Sequence, residues 1–289
     1  MRFALTAAVC VLISSAACAG ETEAEAETKS SSLFEETRDS LLTVSGSVWY
    51  NRGRTSIVAG APFRYSNDQN YMALLEGRIY LPGLPWLGFH GRFGTTLSDS
   101  AGKAGGVLDQ DCEADFTLTE LNVLATLAGR HSPLTPDHAL PYSYLDAFAG
   151  VRMFNEDYDC EGDVEFENDW VGVQVGLRGE WAMGDTYGKN SPFRDFSISG
   201  EVALLPWVTA DGEYSVGGSK IVEHDADGYG AAMSVALSYR YRFMKFTVGY
   251  MWQKLRADDG DAEVGGSDTD LYEIESSRQG VFLGASLDF

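Results

Sequence analysis

The sequence predicts an all-β fold, a ten-stranded antiparallel transmembrane β-barrel, on three observations. The chain begins with a segment that fits an export signal, it then alternates apolar and polar residues in about ten segments, and the connections between these segments are short and long by turns. Alternation with a period of two is the pattern of a two-faced strand. Short connections at one rim and long ones at the other are typical of barrels in the outer membrane.

Residues 1–19 form the predicted signal peptide. A basic start is followed by an apolar run that ends at Ile13, and the small residues after it lead to Ala17-Cys18-Ala19, which fits an A-x-A cleavage site. The apolar run is too short to span a bilayer as a helix. Cleavage would start the mature chain near Gly20, and lipidation of Cys18 is the alternative.

Residues 20–40 are acidic and low in complexity, and we predict a disordered lead-in there, followed by the barrel over residues 41–289. The chain carries 43 acidic and 21 basic residues, a net charge of -22. This balance argues against a nucleic-acid partner, because no basic patch is available to neutralise phosphates. After the signal, no stretch approaches the roughly 20 apolar residues of a membrane-spanning helix.

The predicted strands follow one another along the chain, each with one apolar face. Val171 to Trp181, for example, alternates aliphatic residues with Gly, Gln, Arg and Glu. Most segments are near the ~9 to 11 residues that a tilted membrane strand needs. We expect the closing strand, Gln279–Phe289, to pair with residues 41–52 and so remove both sheet edges. The strands begin near Leu41, Tyr71, Trp86, Phe116, Tyr142, Asp169, Asp195, Gly228, Lys245 and Gln279.

The long connections are mostly acidic and are predicted to be the outer loops. They are Gly53–Asn70, Thr96–Asp115, Asn155–Asn168, Val208–Asp227 and Arg256–Arg278. Aromatic residues near the strand ends predict the two girdles that barrels place at the membrane surfaces. These residues are Trp49, Tyr50, Tyr71, Tyr80, Trp86, Trp170, Trp181, Trp207 and Tyr241.

Charged residues lie on the face of the strands opposite the apolar one. The lumen of a ten-stranded barrel is narrow, so these groups must pair with one another and fill it. The predicted lumen ion-pair network comprises Glu76, Arg78, His90, Arg92, Arg178, Glu180 and Arg240. Such a lumen disfavours a diffusion porin. A small channel therefore ranks below the two functions considered at the end of this subsection.

Two features of the predicted loops bear on chemistry. Cys112 and Cys160 are the only cysteines outside the signal, and in an exported chain we predict a disulfide between them, with two free thiols as the alternative. The acidic loops could be merely solvated, could bind a hard cation such as Ca²⁺, or could hold a carboxylate pair such as Asp109 and Asp111 that activates a water. No segment matches a complete metal-loop motif, so neither a metal site nor a cofactor is predicted.

The segment GTTLSDSAGKAGGVLDQD, Gly94 to Asp111, resembles the omptins, the outer-membrane aspartyl-type proteases, in its flanking sequence and in its place between the third and fourth strands. The closing strand also resembles the omptin ending. The resemblance implies a ten-stranded barrel in the cell outer membrane, surrounded by lipopolysaccharide. It further implies that Asp109 and Asp111 occupy the positions of the catalytic D-x-D, with Cys112 directly after them, so that the disulfide to Cys160 would tie two neighbouring loops over the lumen.

The sequence departs from the omptin pattern at the second half of the catalytic site. Omptins place an Asp-x-His across the cleft, whereas this chain has Asp211-Gly212-Glu213 there, and the histidine in the same predicted loop is His224. We therefore expect a proteolytically inactive barrel with a binding or structural role at the cell surface. An active endopeptidase that cuts at basic residues with Asp109, Asp111, Asp211 and His224 is the alternative. In either case the acidic rim would attract basic peptides or cations.

Overall fold

The computed structural model describes residues 41–59, 61–97, 100–105, 110–129, 143–187, 190–241, 243–270 and 273–288. The predicted signal peptide and lead-in, the final residue and Asp109 lie outside these ranges. The strands are β1 (Leu42–Ala59), β2 (Ala61–Leu81), β3 (Leu84–Thr96), β4 (Ser100–Gly105), β5 (Gln110–Gly129), β6 (Tyr144–Cys160), β7 (Val164–Ala182), β8 (Phe196–Val216), β9 (Ser219–Tyr241), β10 (Met244–Val264), β11 (Ser267–Asp270) and β12 (Glu273–Asp288). The short helix α1 (Met183–Tyr187) follows β7.

The strands form one antiparallel sheet that closes into a barrel. Their order is β1-β12-β10-β9-β8-β7-β6-β5-β3-β2, and pairing between β1 and β2 closes the ring. The short strand β4 pairs with β2 and β5 beyond the end of β3, and β11 pairs with β10 beyond the start of β12. Each short strand thus shares the position of a long one, and the ten-stranded barrel is confirmed.

The two terminal strands pair as predicted. Thr43 lies opposite Asp288 and Val48 opposite Leu283, and the pairing continues to Val58 opposite Glu273. No sheet edge is therefore left unpaired between the first and last strands. Among the described residues, no helix is long and apolar enough to cross a membrane.

An apolar belt surrounds the middle of the barrel. On β7, for example, Val171, Val173, Val175 and Leu177 are each between 39% and 49% exposed, while the residues between them face inward. A water-soluble sheet would bury that face, whereas a membrane barrel presents it to lipid. The belt is therefore the lipid-facing surface.

The aromatic girdles are only partly as predicted. Tyr50, Tyr71 and Trp207 are exposed at one edge of the belt, and Trp86 and Trp181 are exposed at the other. Trp49, Trp170 and Tyr80, which were also predicted there, are instead buried inside the barrel. Each of these three side chains faces the lumen, because neighbouring positions on a strand point to opposite faces of the sheet.

The predicted outer loops are wrong as loops, because most of their residues continue the strands. β6 and β7 remain paired from Asn155 opposite Asp169 up to Cys160 opposite Val164. The seven longest strands have between 18 and 23 residues, about twice what a membrane crossing needs. The barrel thus projects beyond the apolar belt at the end away from the start of β1 and the end of β12. We call this part the outer extension.

The polarity of the two faces inverts where the outer extension begins. Along β6, Val151 and Met153 face outward and are apolar, but the next outward residues are Asn155, Asp157 and Asp159. The inward face of the outer extension is apolar and contributes to a hydrophobic core rich in aromatic side chains. That core includes Trp49, Ile57, Tyr65, Phe116, Phe154, Tyr158, Phe166, Trp170, Val222 and Ile274.

Candidate functional site

The predicted catalytic residues do not converge among the described residues. Asp211 on β8 lies opposite Asp225 on β9, and Gly212 lies opposite His224. Asp211 is exposed on the outer face, whereas His224 is 2% exposed and faces the core. Asp111 is exposed on the outer face of β5, with β6 and β7 between it and β8.

His224 is held by the core of the outer extension. Its Nε2 lies 3.1 Å from Oδ1 of Asn168, and its ring stacks on Phe166 with 6.3 Å between centroids. Burial lowers the pKa of His224 to about 4, so the imidazole is neutral at pH 7 and is a weak base. An omptin-like pairing with Asp211 would require the side chain to leave this core.

Rows of carboxylates cross the outer face of the outer extension. One row runs through six neighbouring strands as Asp115, Asp157, Glu167, Glu213, Glu223 and Glu263. A second row runs through four strands as Asp169, Asp211, Asp225 and Asp261. We call these ten residues the acidic collar. Like charges directly opposite one another on a sheet are destabilising, so the collar carries an electrostatic cost.

The electrostatics of the collar agree with this cost. Partial burial and, after it, the neighbouring carboxylates Asp115, Glu165 and Asp159 raise the pKa of Asp157 above its usual value. Burial and then Asp169, Asp157 and Glu213 do the same for Glu167. Lys220 lies between two members of the first row, with its Nζ 2.7 Å from Glu213 and 3.1 Å from Glu223.

The predicted ion-pair network fills the lumen at the level of the apolar belt. Arg92 lies at its centre, 3.1 Å from Glu76, 3.2 Å from Glu120 and 3.4 Å from Glu201. Because β3 and β8 stand on opposite sides of the ring, the contact between Arg92 and Glu201 crosses the lumen. His90, Arg152 and Arg178 complete the network through Glu76 and Glu120. Salt bridges thus link opposite sides of the lumen at this level.

Three other predicted members lie outside this central group, nearer the start of β1 and the end of β12. Glu180 pairs with Lys245 at 2.8 Å, and Arg240 pairs with Asp288 at 3.0 Å. Arg78 has no carboxylate within salt-bridge distance in the described part of the chain, and its guanidinium packs instead over the Tyr144 ring at 4.4 Å. The ion pair predicted for Arg78 is therefore wrong, because tyrosines surround it where a carboxylate was expected.

A second buried ion pair lies in the core of the outer extension. Arg278 Nη2 lies 2.7 Å from Glu156 Oε1, and both side chains are fully buried. Hydroxyl groups of Thr55 and Ser276 and the Trp170 indole also donate to Glu156. This pair was not predicted, because both residues were assigned to loops. The available signal was the alternation along β6, where Glu156 and Tyr158 lie between the outward residues Asn155, Asp157 and Asp159.

The disulfide between Cys112 and Cys160 is present. The two residues lie directly opposite each other on β5 and β6 and face the interior. The expectation that the bond ties two loops over the lumen is wrong, because both segments are strands of one ladder. In the described part of the chain, no three His, Cys, Asp or Glu side chains converge closely enough to hold a metal ion.

Comparisons with known proteins give the fold class. No family model matches the chain, and no curated protein is similar to it in sequence. Among solved structures, the outer membrane protease OmpT from Escherichia coli is 12% identical with a TM-score of 0.58, and the match covers 88% of this chain and 98% of that one. The translocator domain of the autotransporter NalP from Neisseria meningitidis is 10% identical with a TM-score of 0.42, over 92% and 96% of the two chains. Identities this low indicate a shared architecture only, and the chain has the fold of an outer-membrane β-barrel.

Proposed function

We propose that this chain is a non-conducting surface protein of the outer membrane that binds basic ligands through the acidic collar. The observation that carries the proposal is the register of the carboxylates, because six neighbouring strands place an acidic residue in the same row. Neighbouring strands are about 4.8 Å apart, so adjacent carboxylates lie well within one Debye length of each other.

A basic ligand would remove part of the electrostatic cost of the collar. Lys220 already bridges two carboxylates of the first row, which shows how an ammonium group fits between strands. A peptide with paired Lys or Arg side chains could make the same contacts with neighbouring carboxylates. Rows of one sign also increase the rate of association with ligands of the opposite sign.

The position of the collar suits a role at the cell surface. It begins directly beyond the exposed aromatic residues Trp207 and Tyr229, which lie where the belt ends. In an outer membrane this level adjoins the lipopolysaccharide head groups, whose bound divalent cations would compete for the same carboxylates. Binding should therefore weaken as salt or divalent cation is added.

Two other functions have less support. Proteolysis would need a base beside the carboxylates, and His224 faces away from Asp211 into the core. The omptin-like endopeptidase nevertheless remains the alternative, since OmpT shares the fold and the collar would attract the basic peptides such an enzyme cuts. A small porin is disfavoured because the central network and the core of the outer extension both occupy the lumen.

The test uses the mature chain refolded in detergent micelles and a fluorescent peptide with two Arg-Arg pairs. We expect binding, measured by fluorescence anisotropy, to weaken at least tenfold in the triple variant Asp157→Asn, Glu167→Gln, Glu213→Gln and in 0.5 M NaCl. Glu167→Gln alone should weaken binding more than the matched control Asp195→Asn, which removes one carboxylate near α1.

The same samples separate the alternatives. Equal affinity in the triple variant and the wild type would show that the collar does not bind the peptide. Mass spectrometry of the incubated peptide detects cleavage, and cleavage that is lost in both Asp211→Asn and His224→Ala would establish the endopeptidase instead. Neither result depends on the barrel lumen.

A further inference from the structure

A polar cavity of about 130 Å³ lies in the lumen near the start of β1 and the end of β12. Serine and glycine residues of β1, β8, β9 and β12 line one side, including Ser45, Ser199 and Ser286. The central ion-pair network bounds the other side. In outer-membrane barrels the rim with the short turns faces the periplasm, and the cavity lies toward that rim, where β2 and β3 are joined by a tight turn.

The charges around the cavity do not balance. Four cations line it, Arg78, Arg92, Arg178 and Lys245, against three carboxylates, Glu76, Glu180 and Glu201. Each carboxylate is in a salt bridge with a cation other than Arg78. Glu76 and Glu201 pair with Arg92 and Arg178, and Glu180 pairs with Lys245. Arg78 is the one cation of this lining that no carboxylate contacts within salt-bridge distance among the described residues, although the buried Asp146, which accepts a hydrogen bond from Tyr80, acts on it electrostatically.

The guanidinium of Arg78 has few polar contacts among the described residues. The group packs over the rings of Tyr144 and Tyr80, at 4.4 and 5.5 Å from their centroids. Its Nη2 makes a long hydrogen bond of 3.5 Å to Thr43 Oγ1. Its Nη1 is buried with no hydrogen-bond partner in the described protein. The two tyrosine rings hold the plane of the guanidinium in a fixed orientation, as cation–π contacts do.

Two more buried donors without a hydrogen-bond partner among the described residues belong to residues that line the same cavity. They are Nη1 of Arg178, which has only a distant contact of 3.9 Å with Glu201, and the hydroxyl group of Ser286. Buried donors that lack partners are costly, and an unpaired buried cation is more costly still. A single anion in the cavity would supply both the missing hydrogen-bond acceptors and a counter-charge. Arginine matches the oxygens of carboxylates and phosphates in geometry as well as charge.

We propose that this cavity is a binding site for a small oxyanion, a carboxylate or phosphate group that enters from the periplasm, with Arg78 as its main partner and Arg178 and Ser286 as further donors. A cavity needs roughly 10–15 Å³ of such space to hold one water, so the volume is sufficient for an oxyanion and accompanying waters. The site is at the opposite end of the barrel from the acidic collar and is independent of the proposed surface function.

The test is calorimetric titration of the refolded mature barrel with inorganic phosphate and, separately, with succinate, with ionic strength held constant by chloride. We expect saturable binding of at least one of the two, at one site per chain. Arg78→Gln should weaken it at least tenfold, while Arg78→Lys, which keeps the charge but not the planar fork, should weaken it less. The matched control Arg240→Gln removes an arginine at the same end that pairs with Asp288 and does not line the cavity.

The titrations can reject the proposed anion site in two ways. Absence of saturable binding of both anions to the wild type would mean that the cavity holds only water, and the proposal would be rejected. Equal weakening in Arg78→Gln and Arg240→Gln would show a general charge effect and would also reject it. If Arg78→Gln does not refold, Ser286→Ala, which removes one hydroxyl group, should still weaken binding measurably. The preferred anion, phosphate or succinate, identifies the ligand class.

Discussion

The buried pair of Glu156 and Arg278 allows a quantitative test of the core of the outer extension. Both side chains are fully buried, so removal of one leaves the other without its counter-charge. Breaking a buried ion pair in this way typically costs about 3–5 kcal/mol. The two single variants, Glu156→Gln and Arg278→Met, should however differ within that range.

The difference follows from what remains in each variant. After Arg278→Met, Glu156 still accepts hydrogen bonds from Thr55, Ser276, Trp170 and Tyr158, at distances between 2.8 and 3.1 Å. We therefore expect a loss near about 3 kcal/mol. After Glu156→Gln, the cation retains mainly neutral neighbours such as the Phe116 ring, 3.5 Å from its Cζ. We expect a loss nearer about 5 kcal/mol.

The double variant completes the cycle. Once neither charge is present, no buried charge is left unpaired. The loss in the double variant should therefore be smaller than the sum of the two single losses, by at least about 2 kcal/mol. Guanidinium unfolding in lipid vesicles, followed by tryptophan fluorescence, measures all four free energies of unfolding, and Trp170 reports locally because its Nε1 lies 2.9 Å from Glu156. Strictly additive losses, or a larger loss for Arg278→Met than for Glu156→Gln, would refute this account of the pair.

Four further predictions follow from the same structure. Reduction of the disulfide between Cys112 and Cys160, which are 48 residues apart, should lower the free energy of unfolding by about 2–4 kcal/mol, and a Cys→Ser double variant should unfold identically with and without reductant. Because the folded-state pKa of His224 is lowered to about 4, the unfolded chain binds the proton more tightly, so stability should fall as pH falls from about 6.5 to 4, and His224→Gln should lack that slope. Planar bilayers should record no channels for the wild type or for Glu120→Ala, since the core of the outer extension still closes the lumen when the central network is cut; conductance in either would contradict this. A membrane-impermeant maleimide should label Asp211→Cys rapidly and His224→Cys hardly at all, and equal labelling would mean that their faces are misassigned.

The barrel and its central network were predictable because both depend on local alternation. Within the apolar belt, charged residues alternate with the apolar outward ones, so Glu76, Arg92 and Arg178 could be assigned to the lumen from the sequence alone. The closing pair of strands was predictable for the same reason. The identity of each partner was not, because the strand stagger sets which inward residues meet across a narrow lumen.

The outer extension was not predicted because its acidic residues were interpreted as loop residues. The stretch from Asn155 to Cys160 is rich in carboxylates, but only its outward positions are exposed, and Glu156, Tyr158 and Cys160 are buried. Alternation persists there with the two faces exchanged. The overall composition of the segment does not indicate a strand. The alternation becomes visible only when the residues at odd and even positions are compared separately.

The same exchange of faces determines whether Asp211 and His224, two of the predicted catalytic residues, lie on one face of the sheet. Next to the turn Gly217-Gly218, β8 and β9 pair with Val216 opposite Ser219. If this register continued without interruption, Asp211 would lie opposite His224 on one face of the sheet. A register shift between Tyr214 and Ser215 moves the pairing by one residue and sets His224 opposite Gly212 instead.

The shift has a physical cause in the polarity of the outer extension. The register before it would oppose Glu213, which faces outward, to Val222, a core residue, and a one-residue slip exchanges every side chain between faces. The bulge keeps Val222 and Ala226 in the core and leaves Glu223 and Asp225 in water. Burial of the apolar face thus outweighs any pairing of Asp211 with His224, and Asp211 becomes a member of the acidic collar.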